Sequence, residues 1–162
     1  MGKEIERKFL LADEGWREHV QRSRRMSQGY LTDGGHASVR VRVAGEEAWL
    51  NVKGAGLVAE RDEYEYSIPV EDAREMLDRL ARPPLIDKTR HWVAHAGMQW
   101  EIDEFHGDNA GLIVAEIELE RVGQAFGLPP WLGTEVTHLA RYYNVNLGRA
   151  PYRDWSAAER IP

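Results

Sequence analysis

The sequence feature that most constrains the fold is an alternation of period two that recurs along most of the chain. In one example, Val39, Val41 and Val43 alternate with Arg40 and Arg42. Successive side chains of a β-strand point to opposite faces of a sheet, so this period predicts strands rather than helices. The predicted strands span residues 3–11, 37–43, 49–53, 61–69, 85–95, 98–105 and 112–121.

Short turn signals that contain glycine separate several of these strands, at residues 34–35, 45–46, 54–56 and 96–97. Tight turns of this kind join antiparallel neighbours, so we expect a mostly antiparallel sheet built from hairpins.

Helical patterns are fewer than strand patterns. They predict helices over residues 13–23, 70–80 and 134–147, and the second of these has acidic residues in its first turn and an apolar stripe. The tail after Ala150 fits no single pattern. The prediction is one α+β domain, residues 1–162, dominated by its sheet.

The polar faces of the predicted strands carry pairs of like charges two residues apart. Such pairs lie about 7 Å apart on one face of a strand, and two like charges at about 4 Å repel by roughly 4 kcal/mol at an effective dielectric constant of 20. A protein tolerates this repulsion where a divalent cation binds beside acidic pairs or a polyanion beside basic pairs. If the sheet closes into a barrel with this face inward, one lumen holds both ligands. The pairs are Glu4/Glu6, Arg40/Arg42, Glu63/Glu65, Lys88/Arg90, Glu101/Asp103 and Glu116/Glu118.

The absence of cysteine limits the available chemistry. It excludes disulfides, thiolate zinc sites, iron–sulfur clusters and cysteine nucleophiles. Oxygen ligands favour a hard metal, Mg²⁺ or Mn²⁺, and Mg²⁺ binds through a few carboxylates together with substrate phosphates. The formal net charge of -6 argues against nucleic acid as a partner. It does not describe the paired cations, which we expect on one face of the sheet.

The amino-terminal residues and the hydropathy pattern bear on location. The first eight residues lack the apolar core of a signal peptide. No apolar run approaches the roughly 20 residues that a membrane span needs. We therefore expect a cytoplasmic protein with no membrane partner.

The charged pairs follow one another in an order that resembles a known family. Residues 4–8 have the pattern ExExK, and the basic and acidic segments 40–42, 53, 61–65, 88–90, 101–103 and 116–118 follow it. This series is similar to that of the CYTH superfamily, the triphosphate tunnel metalloenzymes, and residues 131–137 and 141–142 look like those of small bacterial members. The resemblance covers essentially the whole chain. It implies a single CYTH domain, residues 1–162, folded as an eight-stranded antiparallel closed β-barrel with flanking helices and a C-terminal helix.

The resemblance also implies roles for individual residues. Those matching the family's metal-binding acidic positions are Glu4, Glu6, Glu116 and Glu118, with Glu63, Glu65 and Asp103 as further acidic positions. Those matching its triphosphate ligands are Lys8, Arg40, Arg42, Lys53, Lys88 and Arg90, with Tyr30 near the phosphates. Direct roles in the reaction fall to Lys8, Lys88, Glu63 and Asp103, and either of the last two could activate water. The family usually carries an acidic residue near the position of Leu139 and Ala140, which this chain lacks.

The expected activity is hydrolysis of a triphosphate with Mg²⁺ or Mn²⁺ as cofactor, and tripolyphosphate yielding pyrophosphate and phosphate is favoured. Alternatives are a nucleoside or thiamine triphosphatase and an adenylate cyclase of the class IV type. A non-enzymatic module that binds triphosphate or polyphosphate is a further alternative. The expected partner is a small molecule that contains a triphosphate, and the sequence leaves a homodimer open.

Overall fold

The computed structural model describes residues 2–32, 34–56 and 59–162. The strands are β1 Gly2–Leu11, β2 Val20–Thr32, β3 Ala37–Ala44, β4 Glu47–Gly54, β5 Glu60–Ile68, β6 Ile86–His95, β7 Met98–Phe105, β8 Ile113–Glu118 and β9 Leu132–Glu135. The helices are α1 Val70–Arg79 and α2 Asn144–Leu147. The turn predicted at residues 54–56 continues into Leu57 and Val58, which lie outside the described residues.

Strands β1 to β8 close into a barrel in which neighbouring strands are antiparallel. Their order around the barrel is β5-β4-β3-β2-β6-β7-β8-β1, and β1 also pairs with β5, which closes the circle. Strand β9 adds to β1 outside the circle. The prediction of an eight-stranded antiparallel closed barrel is therefore confirmed.

The longest strand, β2, was not among the predicted strands, and the helix predicted over residues 13–23 is wrong. A short 3₁₀ helix spans Gly15–His19, and β2 begins at Val20. The sequence Arg22 to Arg25 is uniformly polar, so its alternation is invisible without knowledge of its neighbours. Pairing with β6 decides the conformation, since Ser23 lies opposite His91 and Arg25 donates to Asp87 at 2.6 Å.

The helix predicted over residues 70–80 is confirmed by α1, but the one predicted over residues 134–147 is wrong. The segment begins within strand β9, continues through a short 3₁₀ helix at Ala140–Tyr142 and ends in α2, which has four residues. Long-range hydrogen bonds favour this path, because the Lys8 backbone N–H donates to Thr137 Oγ1 at 3.0 Å.

The apolar core lies outside the barrel wall. Ile5, Phe9 and Trp100 point outward from their strands and pack against Trp16 and Trp131, which belong to the covering segments. Each such side chain contributes about 1.5–3 kcal/mol on burial, so the wall is stabilised from outside and its inner face is left to polar residues. On the opposite side of the barrel, α1 packs on β3 and β4.

The close approach of β2 to the segment after α1 requires glycine at position 29. A Cβ on Gly29 would lie 2.7 Å from Leu85 Cδ2 and 2.9 Å from Ala81 Cβ. The contact fixes the strand between Gln28 and Tyr30, two residues that face the interior. No helix of the described residues has the length and apolar character needed to cross a membrane.

Candidate active site

The interior of the barrel, which we call the lumen, contains a cavity of about 420 Å³. Charged side chains line it because the alternation of the strands turns them inward. The sequence-predicted site residues that line it are Glu4, Glu6, Lys8, Tyr30, Arg40, Arg42, Lys53, Glu63, Glu65, Arg90, Glu116 and Glu118. Two others, Lys88 and Asp103, are fully buried and do not line the cavity.

Lys8 lies at the centre of an acidic group on β1 and β8. Its Nζ is 2.5 Å from Glu116 Oε1 and 3.3 Å from Glu6 Oε1, and its side chain is 2% exposed. Burial alone would lower the pKa of Lys8, but Glu116 and Glu6 outweigh it and raise this pKa above its ordinary value. Burial likewise acts to raise the pKa of Glu6, but Lys8 and Lys53 lower it overall. Both groups are therefore charged at neutral pH.

A second group of paired charges joins β1 to β4 and β5. Lys53 Nζ lies 2.8 Å from Glu4 Oε1 and 3.7 Å from Glu63 Oε1. Arg61 Nη2 lies 3.3 Å from Glu4 Oε2 and also lines the cavity. Asn51 donates to Glu63 at 2.6 Å and to Glu65 at 3.1 Å, so this amide holds the two β5 carboxylates together.

Asp103 is held between two cations behind the cavity wall. Arg90 donates to both of its oxygens, at 2.7 and 2.8 Å, and Lys88 Nζ lies 2.6 Å from Oδ2. Burial acts to raise the pKa of Asp103, but Arg90 and Lys88 hold it well below its ordinary value. Burial lowers the pKa of Lys88 to about 7, with Arg90 and Arg42 acting in the same direction and Asp103 opposing them. Both oxygens of the Asp103 carboxylate are therefore paired with Arg90 and Lys88 in this structure.

Arg42 differs from the other cations of the lumen. Its Nε donates to Gln28 Oε1 at 3.0 Å, and no ion pair joins it to any carboxylate of the described residues. Burial lowers the pKa of Arg42 to about 9, and the neighbouring guanidinium groups of Arg40 and Arg90 act in the same direction. At neutral pH the lumen thus holds a guanidinium whose charge has no direct partner.

Glu118 is the acidic counterpart of Arg42, because it has no cationic partner among the residues that the structure describes. Burial raises the pKa of Glu118, and repulsion from Glu4, Glu63 and Glu101 adds to the effect. Its strand position places it directly opposite Glu6. This concentration of oxygen donors and negative charge fits a hard divalent cation.

The carboxylates are not arranged as a ready-made metal site. Within residues 2–32, 34–56 and 59–162, no three side chains of the ligand types His, Asp and Glu are grouped closely enough to hold a metal ion. The reason is visible in the ion pairs, since Glu4, Glu6 and Glu116 each contact a lysine or arginine. A polyanion that took over those cations would free the carboxylates for a metal.

We expect metal binding to weaken as the pH falls, with an onset set by Glu118. Its pKa lies above the ordinary 4.5, so protons compete with the metal at a higher pH than they would for an unperturbed carboxylate. Titration calorimetry with Mn²⁺ from about pH 7.5 down to about pH 4.5 should show falling affinity and proton release on binding. The Glu118→Gln variant is the control and should lose this part of the proton release. Affinity that stays constant over that range would contradict the placement of Glu118.

Several lumen residues were missed by the sequence-based assignment. Arg61 and Gln28 could have been found from alternation alone, since they precede Glu63 and Tyr30 by two positions on the same strands. Tyr143 and Asn144 could not, because they reach the cavity from the irregular C-terminal segment. The Tyr143 ring lies 4.7 Å from Lys8 Nζ, which is within the range of a cation–π contact.

The sequence of this chain is similar to a known family and to two named relatives. The family model described as the CYTH domain matches residues 2–146. The chain is 43% identical to an inorganic triphosphatase of Acetivibrio thermocellus over 155 residues, which cover 96% of this chain and 99% of that protein. It is 37% identical to an inorganic triphosphatase of Nitrosomonas europaea over 147 residues, 87% of this chain and 93% of that one.

The fold is also similar to that of solved structures. A crystal structure of an inorganic triphosphatase superposes with a TM-score of 0.64 at 32% sequence identity. The match covers 90% of this chain and 93% of the other.

Proposed function

The chain belongs to the CYTH family, and we propose that it is a metal-dependent inorganic triphosphatase that cleaves tripolyphosphate into pyrophosphate and phosphate. Two relatives named inorganic triphosphatase support the proposal, since the matches cover 96% and 87% of this chain. The charged residues that line the lumen of this chain further support the proposal.

The observation that carries the proposal is the uncompensated guanidinium of Arg42 inside a closed lumen. A buried cation without an acidic partner is costly unless an anion binds there. Arg40, Lys53 and Arg90 lie around the same cavity, paired with carboxylates that a polyphosphate could replace. Arginine donates two parallel hydrogen bonds to phosphate oxygens and lysine acts as a point charge, so the set suits a chain of phosphates.

The cofactor in this proposal is Mg²⁺ or Mn²⁺, held by Glu4, Glu6, Glu116 and Glu118. These carboxylates supply only oxygen donors, which both metals accept. A divalent cation bound here supplies charge neutralisation for the phosphate oxygens. A bound triphosphate would draw Lys8 and Lys53 away from the carboxylates that they now contact, and those carboxylates could then bind the metal.

Hydrolysis needs positioning and charge neutralisation more than covalent chemistry. Water attacks a terminal phosphorus, the bridging P–O bond breaks, and pyrophosphate leaves with the bonding electrons. Lys8 and Arg42 would orient the phosphates, and the proton of the water passes to a carboxylate. We favour Glu63 over Asp103 for that role, because Glu63 lines the cavity while Asp103 is occupied by Arg90 and Lys88.

The alternative of an organic triphosphate finds less support. The alternation also turns Trp49 and Trp92 inward, but neither lines the cavity. Arg22 lies 3.9 Å from the centre of the Trp92 ring and covers it. No tryptophan of the described residues lines the cavity, so no indole is placed there for a nucleobase to stack on.

The proposed partner is a small triphosphate-containing molecule, and neither nucleic acid nor a membrane surface enters the proposal. The residues assigned above come from one chain, so a homodimer is compatible with the reaction and not required for it.

A titration of phosphate release against metal concentration tests the proposal against a pure binding module. With tripolyphosphate as substrate, release should rise from background in a chelator to a plateau in Mg²⁺ or Mn²⁺. A module that only binds triphosphate would show thermal stabilisation by tripolyphosphate with no phosphate released at any metal concentration.

A further inference from the structure

The cations of the lumen are neutralised by carboxylates, with one exception among the described residues. Lys8, Lys53, Arg40, Arg61 and Arg90 each contact a carboxylate at N···O distances between 2.5 and 3.6 Å. Arg42 is held by a neutral amide instead. The exception calls for a physical reason, because glutamate has the same shape as glutamine and would pair better with arginine in the absence of a ligand.

The amide that holds Arg42 is itself buried at a cost. Gln28 is 0% exposed and lies directly opposite Arg42 in the β2–β3 pair. Its Oε1 accepts the hydrogen bond from Arg42 Nε, while its Nε2 has no partner. A buried donor without a partner destabilises a fold. Packing alone would favour an apolar side chain here. We therefore attribute the amide at this position to its hydrogen bond with Arg42.

The contact uses only one of the donors of Arg42. Arginine has five N–H groups, and the Gln28 amide engages the one on Nε. The two terminal nitrogens are left for a ligand in the cavity, which Arg42 lines and Gln28 does not. A neutral acceptor fixes the plane of the guanidinium without cancelling its charge.

We propose that Gln28 is a positioning residue for substrate binding, which aims the Arg42 guanidinium at a phosphate group and keeps its positive charge available. The inference rests on the proposed function, since it names how one residue of that site is prepared for a polyphosphate. It goes beyond the family resemblance, which assigns no role to position 28.

The test is Gln28→Glu, which keeps the shape of the side chain and adds the missing negative charge. The new carboxylate pairs with Arg42 and competes with the phosphate. We expect KM for tripolyphosphate to rise at least about tenfold and kcat to change less than about threefold. The melting temperature without ligand should not fall, because the variant gains an ion pair. A merely structural glutamine would instead lose stability and leave KM unchanged.

A double-mutant cycle checks that the effect passes through Arg42. In the Arg42→Ala background, Gln28→Glu should change KM less than about twofold. Gln21→Glu is the matched control, since it makes the same charge change at an exposed position of the same strand. It should leave KM as in the wild type. An equal effect of Gln28→Glu with and without Arg42 would overturn the proposal.

A second variant covers the case in which Gln28→Glu does not fold. Gln28→Met has a similar shape and no hydrogen-bond acceptor of comparable strength, so it releases Arg42 and should raise KM at least about fivefold. An unchanged KM in whichever variant folds overturns the role of Gln28 and leaves the hydrolase assignment intact. If the wild type releases no phosphate, the proposed function fails. Tripolyphosphate affinity measured by calorimetry then replaces KM in every comparison.

Discussion

Replacing Arg42 with alanine is expected to lower kcat/KM for tripolyphosphate at least about 100-fold, while the protein remains folded. Charge-assisted hydrogen bonds contribute about 1.5–3 kcal/mol each, and a guanidinium can donate two to one phosphate. Loss of both corresponds to a factor of about 100 or more. The fold should tolerate the change, because removal of Arg42 leaves no carboxylate unpaired, although the buried Gln28 Oε1 loses its hydrogen bond.

The effect of Arg42→Ala on the free energy of unfolding should be limited, so that the protein stays folded. Burial lowers the pKa of Arg42, and repulsion from Arg40 and Arg90 adds to the effect, so the variant also removes a charge that is disfavoured in the folded state. We expect the free energy of unfolding to fall by no more than about 3 kcal/mol, the upper cost of leaving the buried Gln28 Oε1 without its partner. Arg25→Ala is the control, because Arg25 lies on the outer face and pairs with Asp87. It should keep kcat/KM within about twofold. Wild-type activity in Arg42→Ala would remove Arg42 from the phosphate site.

Replacing Glu118 with glutamine should lower activity and raise the stability of the metal-free protein. The variant loses a proposed metal ligand, and we expect kcat at fixed metal concentration to fall at least about 100-fold, which corresponds to about 2.7 kcal/mol. The metal-free protein should instead become more stable. The pKa of Glu118 is raised, which means that its charged form is disfavoured in the folded state at neutral pH.

The sign of this stability effect follows from linkage. A carboxylate whose folded-state pKa lies above its unfolded value destabilises the fold once the pH is high enough to ionise it, and protonation or neutralisation removes the penalty. The stabilisation by Glu118→Gln should therefore be present at neutral pH and disappear as the pH falls below the unfolded pKa. Thermal unfolding in a chelator measures it. Glu46→Gln, at an exposed turn, is the control and should change neither quantity.

A variant that loses both activity and stability would contradict this account of Glu118, since it would mark the residue as a structural one. A variant that keeps full activity would remove Glu118 from the metal site.

Residues on regular strands could be placed on the correct face from alternation alone. Glu4, Glu6, Arg40 and Arg42 line the lumen as expected, because a side chain on a strand can face only one of two sides. The same rule applied to β2 would have placed Gln28 inside. Its polar start, however, fits a helical pattern, and only pairing with the distant strand β6 decides its conformation.

The depth of a side chain within the lumen could not be predicted in this way. Lys88 and Arg90 share a face of β6, yet only Arg90 lines the cavity. Lys88 lies beneath the C-terminal segment, with its Nζ 3.3 Å from Asn144 Oδ1. That segment reaches the barrel through contacts far apart in the chain, such as the Lys8 backbone N–H donating to Thr137 Oγ1. Its local pattern predicted a helix instead.

Hydrolysis of inorganic tripolyphosphate in the lumen is tested most directly by identifying the reaction products. The wild-type protein is incubated with tripolyphosphate, ATP or thiamine triphosphate, in Mg²⁺, in Mn²⁺ and in a chelator, and the products are separated. Tripolyphosphate should be turned over fastest, should give pyrophosphate and phosphate in equal amounts, and should remain intact in the chelator. Cyclic AMP as the main product from ATP, or tripolyphosphate left intact at every metal concentration, would contradict this assignment.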